Sequence, residues 1–322
     1  MNRVTVEFET ITPLFTGDTW GSCAELKPSS IMGSLRFWFE VYCLFAGIDV
    51  KEKEELKEKD YQKILKSLKK DIDDDKNIED IDKYIFDKLP LTLSSKIFGC
   101  TGWKSRIEIE QIVFKKRTIK ANDFDYNYLH SQDNNTKWWT KKVLYDNQNQ
   151  IDVFENIVLE LKIDNNVLND VKKFFKFYQD EPILIGGKKA FGFGFVKLKS
   201  NLDLSDIDIE IKKDDIVIWD SIKIRKNNIT GYNIKYFLRK KENKKYRTIN
   251  FGKMGQASNF FFSMPKNGTI YIISFNNKTI LDKYKRWIKK SEQFQNKQIN
   301  KKYNKKLNNA SIDDLKNKWG SR

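Results

Sequence analysis

The residues able to do chemistry in this chain are few and scattered. The densest group is ILIGGKKAFGFGF, residues 183–195, with four glycines, two lysines and three phenylalanines straight after Glu181 and Pro182. Glycine-rich backbone beside lysine suits a nucleotide loop, a cradle for nucleic-acid phosphates, or a tight turn in a sheet. A Walker A loop needs GxxxxGK followed by Ser or Thr, and here Lys189 follows Gly187 and Lys188 without that spacing. A dinucleotide fingerprint follows a strand and opens a helix, whereas these glycines follow a helical pattern and open a strand. The cradle and the turn remain. In a cradle, Gly186 and Gly187 take positive φ and aim successive N–H groups into one anion nest. Lys188 and Lys189 then add charge, and Phe191 and Phe193, set around Gly192 and Gly194, stack on bases. In a turn, the same phenylalanines are core.

A second group lies in KPSSIMGSLRFWFEVYCLF, residues 27–45. Ile31, Leu35, Trp38 or Phe39, Tyr42 and Phe45 recur at helical spacing, so a helix with one apolar face is expected, with Trp38 in the core. Ser29 or Ser30, after Pro28, is the expected N-cap. Lys27, Ser29 and Ser30 at that helix start suit a phosphate, and Gly33 suits close approach of a backbone or ligand. Arg36 fits either a phosphate clamp near the helix N-terminus or an ion pair with Glu40 four residues on. Lys104, Ser105 and Arg106 open a later strand and either line the same groove or serve solubility.

Acid–base candidates are thin. His130 is the single histidine, and Asp18, Asp123 and Asp125 are loop aspartates with no motif to single one out. Cys23, Cys43 and Cys100 are widely spaced, form no CxxC pair, and with one histidine do not complete a usual zinc set. No metal or cofactor is expected. No run of eighteen apolar residues exists, so no membrane span is expected. MNRVTVEFET reads as a strand rather than a signal peptide, and a reduced, cytoplasmic protein is the simplest expectation.

Periodicity supplies the elements that must hold these residues. Val4, Val6 and Phe8 alternate as a strand that ends before Pro13. Residues 51–90 read as an inserted pair of charged surface helices. Ile107 and Ile109 alternate, then Ile112 and Phe114 do so out of phase, which predicts a bulge. Residues 117–150, with Trp138 and Trp139, read as a long polar loop, one tryptophan anchoring it and the other open to stacking on a base. Ile157 to Ile163 alternate as a strand, and 167–178 follow as a helix. The order β-α-insertion-β-β-α-β is that of a ferredoxin-like unit closing near residue 200. Further strands are expected at 207–211, 216–218, 222–224 and 269–275, then a helix over 279–291 and a low-complexity basic tail.

Charge is unevenly placed. Lys and Arg number 60 against 44 Asp and Glu, for a net +16. Residues 223–253 hold eleven basic residues against one acid, and 283–322 hold thirteen against three. Arg239, Lys240, Lys241, Lys244 and Lys245 form the tightest cluster. Such patches attract polyanions through counterion release, although a solvated face explains them as well.

Three stretches in this order, ITPLFTGDTWGSCAELKPSSIMGSLRFWFE, SSKIFGCTGWKSRIEI and ILIGGKKAFGFGFV, together resemble the RAMP superfamily of CRISPR proteins. The first looks specifically like subunit one of the type III-B Cmr effector complex, with its TPLF-glycine opening and SIRG-x-LRFW pattern. FGKMGQASNFFFSM, residues 251–264, faintly resembles that family's C-terminal segment. This chain departs from the pattern at Asp18, Met32 and Glu40. It also has Lys188 and Lys189 where arginines are common, and Phe191 where a basic residue often precedes Gly192.

The resemblance implies an α+β fold of two ferredoxin-like (RRM-like) domains with helical and loop insertions, over 1–200 and 201–322. It implies a non-catalytic RNA-binding subunit at the end of a backbone filament, near the guide's 3′ region and the target's 5′ region. Guide RNA, target RNA and other Cmr-type subunits are the implied partners. The implied RNA contacts are Lys27, Ser29, Ser30, Gly33, Arg36, Lys104, Arg106, Gly186, Gly187, Lys188, Lys189, Phe191, Gly192 and Gly194. Relatives that cut RNA leave open a ribonuclease using His130 or a loop aspartate. A purely structural assembly subunit, using 51–90 and the basic tail, is the third reading.

Overall fold

The computed structural model describes residues 1–17, 25–51, 54–74, 76–126, 128–129, 149–199, 203–252 and 258–309, with side chains to residue 293. Strand β1 (Asn2–Thr10) puts Val6 and Phe8 fully inside, as its alternation predicts. Helix α1 (Pro28–Ala46) covers the sheet with Ile31, Leu35, Trp38, Phe39 and Tyr42. Full burial of one such side chain is worth roughly 2–3 kcal/mol, so this face largely sets where α1 sits. The charged insertion forms α2 (Glu58–Asp73) and α3 (Ile81–Lys88), which anchor through Ile64 and Phe86. A short α4 (Leu93–Phe98) leads into β2 (Ile107–Lys120). Strand β3 (Gln150–Ile163), α5 (Leu168–Phe177), β4 (Ile183–Leu184) and β5 (Phe195–Leu198) complete the first unit.

Its sheet is antiparallel in the order β2-β3-β1-β5-β4. Strand β1 sits between β3 and β5, the ferredoxin-like arrangement, with β4 added outside β5. The bulge read from the isoleucine phase is present as register shifts between Ile109 and Gln111 and between Val113 and Lys115.

A second sheet, β6-β8-β7, is built from β6 (Ile218–Lys223), β7 (Phe260–Phe262) and β8 (Thr269–Ser274). Helices α6 (Gly231–Lys241), α7 (Lys244–Phe251) and α8 (Lys278–Asn309) accompany it. Its β-α-α-β-β-α order repeats the ferredoxin-like path, ending in α8 within the described residues. Val217 and Ile273 lie in the first core, and the Trp219 indole N–H donates to the Pro182 carbonyl at 2.9 Å, so the two sheets meet beside the glycine stretch.

Several local expectations change. Residues 207–211 form no strand. Ile207 and Ile209 instead lean on the first core beside α1, where the Lys212 and Lys213 N–H groups donate to the Phe45 carbonyl. The two strands expected at 216–218 and 222–224 are one, β6. Residues 117–120 belong to β2 and 150–156 to β3, where cross-strand pairs such as Arg117 with Glu155 sustain the ladder through polar sequence. The Trp138–Trp139 pair lies outside the described residues.

Candidate nucleic-acid interface

The glycine stretch crosses between the two sheets, and close internal packing dictates its glycines. Gly186 has φ +85°, and a Cβ there would stand 2.5 Å from the Phe15 carbonyl oxygen. Its N–H donates to Ser34 Oγ at 3.2 Å, and the Gly187 N–H donates to the Phe15 carbonyl at 2.6 Å. The expected anion nest is therefore not formed by these two residues, because both donors already have partners inside the chain. Gly192 has φ +90°, and a Cβ would stand 2.7 Å from the Phe262 carbonyl of β7. The Gly194 N–H donates to the Pro13 carbonyl at 2.9 Å. Phe191 is a core plug: it is 4% exposed and stacks on Tyr232 of α6 at 5.2 Å. It presents no open platform for a base. Phe193 is fully buried.

What the turn offers outward is charge. Lys188 sits in the left-handed region at φ 51°, with its ammonium 4.7 Å from the Phe15 ring. Lys189 opens the 3-10 turn Lys189–Phe191 and is half-buried. Burial holds its ammonium below the usual lysine range, and among the described residues no carboxylate lies against it.

The start of α1 adjoins this turn through Ser34 and through Thr16, whose Oγ accepts from the Lys27 N–H at 3.1 Å. Lys27, not a serine, is the N-cap residue, and no side chain caps the helix. Proline at the first helical position is pre-set for the turn, so Ser29 and Ser30 fall inside the helix and Ser29 is exposed. Gly33 is exposed too, and among the described residues nothing lies within 4 Å of where its Cβ would stand.

Arg36 points elsewhere. Its Nε donates to Glu40 at 2.9 Å, one terminal nitrogen to the Gly99 carbonyl at 2.6 Å and the other to Ser95 Oγ at 3.1 Å. The ion pair offered as the alternative is present, and Arg36 fastens α1 to α4. Arg106 likewise joins Asp82 at 2.9 Å and Asp164 at 2.8 Å while lying 4.7 Å from the Trp103 ring. Lys104 is exposed and pairs with Glu108 at 2.6 Å. These two precede β2, beside the Asn2 end of β1, whereas the glycine turn meets β1 at its Thr10 end across the opposite edge. Eight strand residues separate those ends by about 26 Å. Lys104 and Arg106 therefore do not share a groove with the glycine turn.

The residues that do join the turn lie on α6. Tyr232, Lys235, Tyr236, Arg239 and Lys240 recur at helical spacing on one side of it, while Ile234, Phe237 and Leu238 are buried on the other. The Tyr236 ring lies 5.8 Å from Tyr232, and the Lys240 ammonium lies 4.8 Å from Tyr236. Burial brings Lys235 down to about 8, with the neighbouring Arg239 pushing the same way. The sequence signal for this face is the Arg239–Lys241 cluster; Lys235 and the tyrosines carry no separate signal in the sequence.

The acid–base candidates are occupied or undescribed. Asp123 accepts from the Lys120 N–H at 2.8 Å, and Asp125 pairs with Lys226. His130, Asp18 and Cys23 lie outside the described residues. Burial pushes the Cys43 thiol up to about 12 and raises that of Cys100, so neither is a ready thiolate. Among the described residues no cluster of His, Cys, Asp and Glu could hold a metal ion, and no helix is long and apolar enough to cross a membrane.

The fold and the turn define a class before any individual relative. The sequence profile of the RAMP superfamily matches residues 7–197, and the chain belongs to that superfamily. Among solved structures, the apo crystal structure of Cmr1 from Pyrococcus furiosus is similar over 86% of this chain and 89% of its own. It has 15% identity and a TM-score of 0.46. No curated protein matches the chain.

Proposed function

We propose that this chain is a non-catalytic RNA-binding subunit of a type III-B CRISPR effector complex. It holds guide RNA near the 3′ region, together with target RNA, at the end of the backbone filament, among Cmr-type subunits in the cytoplasm. The observation that carries this reading is Lys189: a half-buried ammonium without a described counter-charge, on a turn fixed by internal hydrogen bonds. Such a charge weakens the free fold, and an incoming phosphate relieves it. Lys188 adds a second cation beside it, and the exposed start of α1 lies next to both.

Recognition of this kind reads the RNA backbone and leaves sequence to base pairing. It needs no acid or base, consistent with Asp123 and Asp125 serving as structural acceptors. The test replaces Lys188 and Lys189 with glutamine in the assembled complex. RNA affinity falls at least tenfold, on the order of two lost phosphate contacts, while assembly persists. Unchanged affinity overturns the reading. Site-specific cutting of precursor or target RNA by the purified chain, abolished by His130→Ala, would replace it with a ribonuclease.

A further inference from the structure

We propose that α6 carries a second phosphate seat, formed by Lys235 and Arg239 and continuous with Lys189, for the backbone of single-stranded RNA leaving the glycine turn. This inference rests on the RNA-binding reading above and extends it to a surface in the second ferredoxin-like unit.

Compensation of charge is the first argument. Several other partly buried cations pair with carboxylates: Arg36 with Glu40, Arg106 with Asp164 and Lys285 with Asp220, all within 2.9 Å. Among the described residues, Lys189, Lys235 and Arg239 have no carboxylate partner. Among the described residues Arg239 donates to the Gly252 carbonyl alone. The single acid of residues 223–253, Glu242, is buried at the end of α6 and held by Lys283 at 2.9 Å and by Tyr284. Among the described residues, no acid thus offsets Lys235 or Arg239.

Continuity is the second argument. The Lys189–Phe191 turn packs on the start of α6 through the Phe191–Tyr232 stack, and Gly231 lies against Gly192. From Tyr232 to Lys240 the stripe runs about 12 Å along the helix. It is one helix wide and bordered by the Tyr232 and Tyr236 rings. That shape suits one strand with its bases turned toward rings better than the broad cylinder of a duplex. The lowered proton affinity of Lys235 agrees, since burying an ammonium without a counter-ion opposes its charge.

The test uses the full chain and fluorescence anisotropy with a short labelled oligouridylate and, separately, a blunt RNA duplex. Lys235→Met is expected to weaken oligouridylate binding about fivefold, the scale of one phosphate contact. It should also raise Tm, which a merely damaged fold does not do. Lys235→Arg keeps the affinity. If Lys235→Met binds as wild type while the Lys188/Lys189 double variant loses binding, the α6 seat is wrong and the turn reading stands. If neither variant changes affinity, both are wrong. Equal weakening of duplex and single strand overturns the single-strand assignment. Lys235→Gln provides the same comparison should the methionine variant aggregate.

Discussion

Lys235 and Arg106 show how differently two half-buried cations behave. Arg106 bridges Asp82 and Asp164, so α3 and the end of β3 depend on it. Arg106→Gln should lower stability by about 2 kcal/mol in denaturant unfolding, because it leaves two carboxylates without their partner, and should leave RNA affinity unchanged. Lys235 has the opposite sign. Its folded value near 8 lies below the usual 10.5. Below pH 8 both folded and unfolded chains carry the proton, and the folded one bears the full penalty. Between about 8 and 10.5 the unfolded chain binds more protons, so stability rises with pH. The stability advantage of Lys235→Met over wild type should therefore shrink through that window in thermal melts. Arg239, one turn further along α6, is cationic and pushes Lys235 the same way. Lys283 of α8 is neutralised by Glu242. Phosphate binding restores the proton, so RNA affinity should fall between pH 7 and 9 more steeply for wild type than for Lys235→Met. None of this was legible in the sequence, where Lys235 looks like any surface lysine until its neighbours are known.

At the scale of elements, periodicity spoke clearly wherever one face is buried. The alternation in β1, the apolar stripe of α1 and the phase break in β2 all correspond to structure, because each reports which side chains face a core. It misled at 207–211, where Ile207 and Ile209 pack on the first core without a ladder, and it missed β7, whose FFF has no alternation. The glycine stretch was half legible. Its composition announced an unusual backbone, but φ freedom does not say where an N–H points, and the Gly186 and Gly187 donors point inward. The turn is thus a rigid support for Lys188 and Lys189 rather than an anion nest. Gly186→Ala, with a Cβ forced toward the Phe15 carbonyl at positive φ, should destabilise the chain by about 2 kcal/mol in chemical denaturation.

Across the whole molecule, the basic excess of residues 223–253 acquires a location. The second ferredoxin-like unit meets the first beside the glycine turn and sets α6 against it. The highly charged helices α2 and α3, with acids and lysines nearly balanced, belong to the insertion, joined to the α1 side through Ile64, Phe86 and the Asp82–Arg106 pair. Replacing residues 58–88 with a short linker should alter assembly with neighbouring subunits while leaving the RNA affinity of the isolated chain unchanged, as measured by co-purification and anisotropy. In the proposed function the cationic turn of this RAMP fold binds the phosphates of RNA. The most direct test is the salt dependence of single-stranded RNA binding, wild type against the Lys188/Lys189 double glutamine variant. The slope of log affinity against log salt for the variant is expected to be shallower by about 1.4, two phosphates at roughly 0.7 each. An identical slope and affinity for both proteins would contradict it.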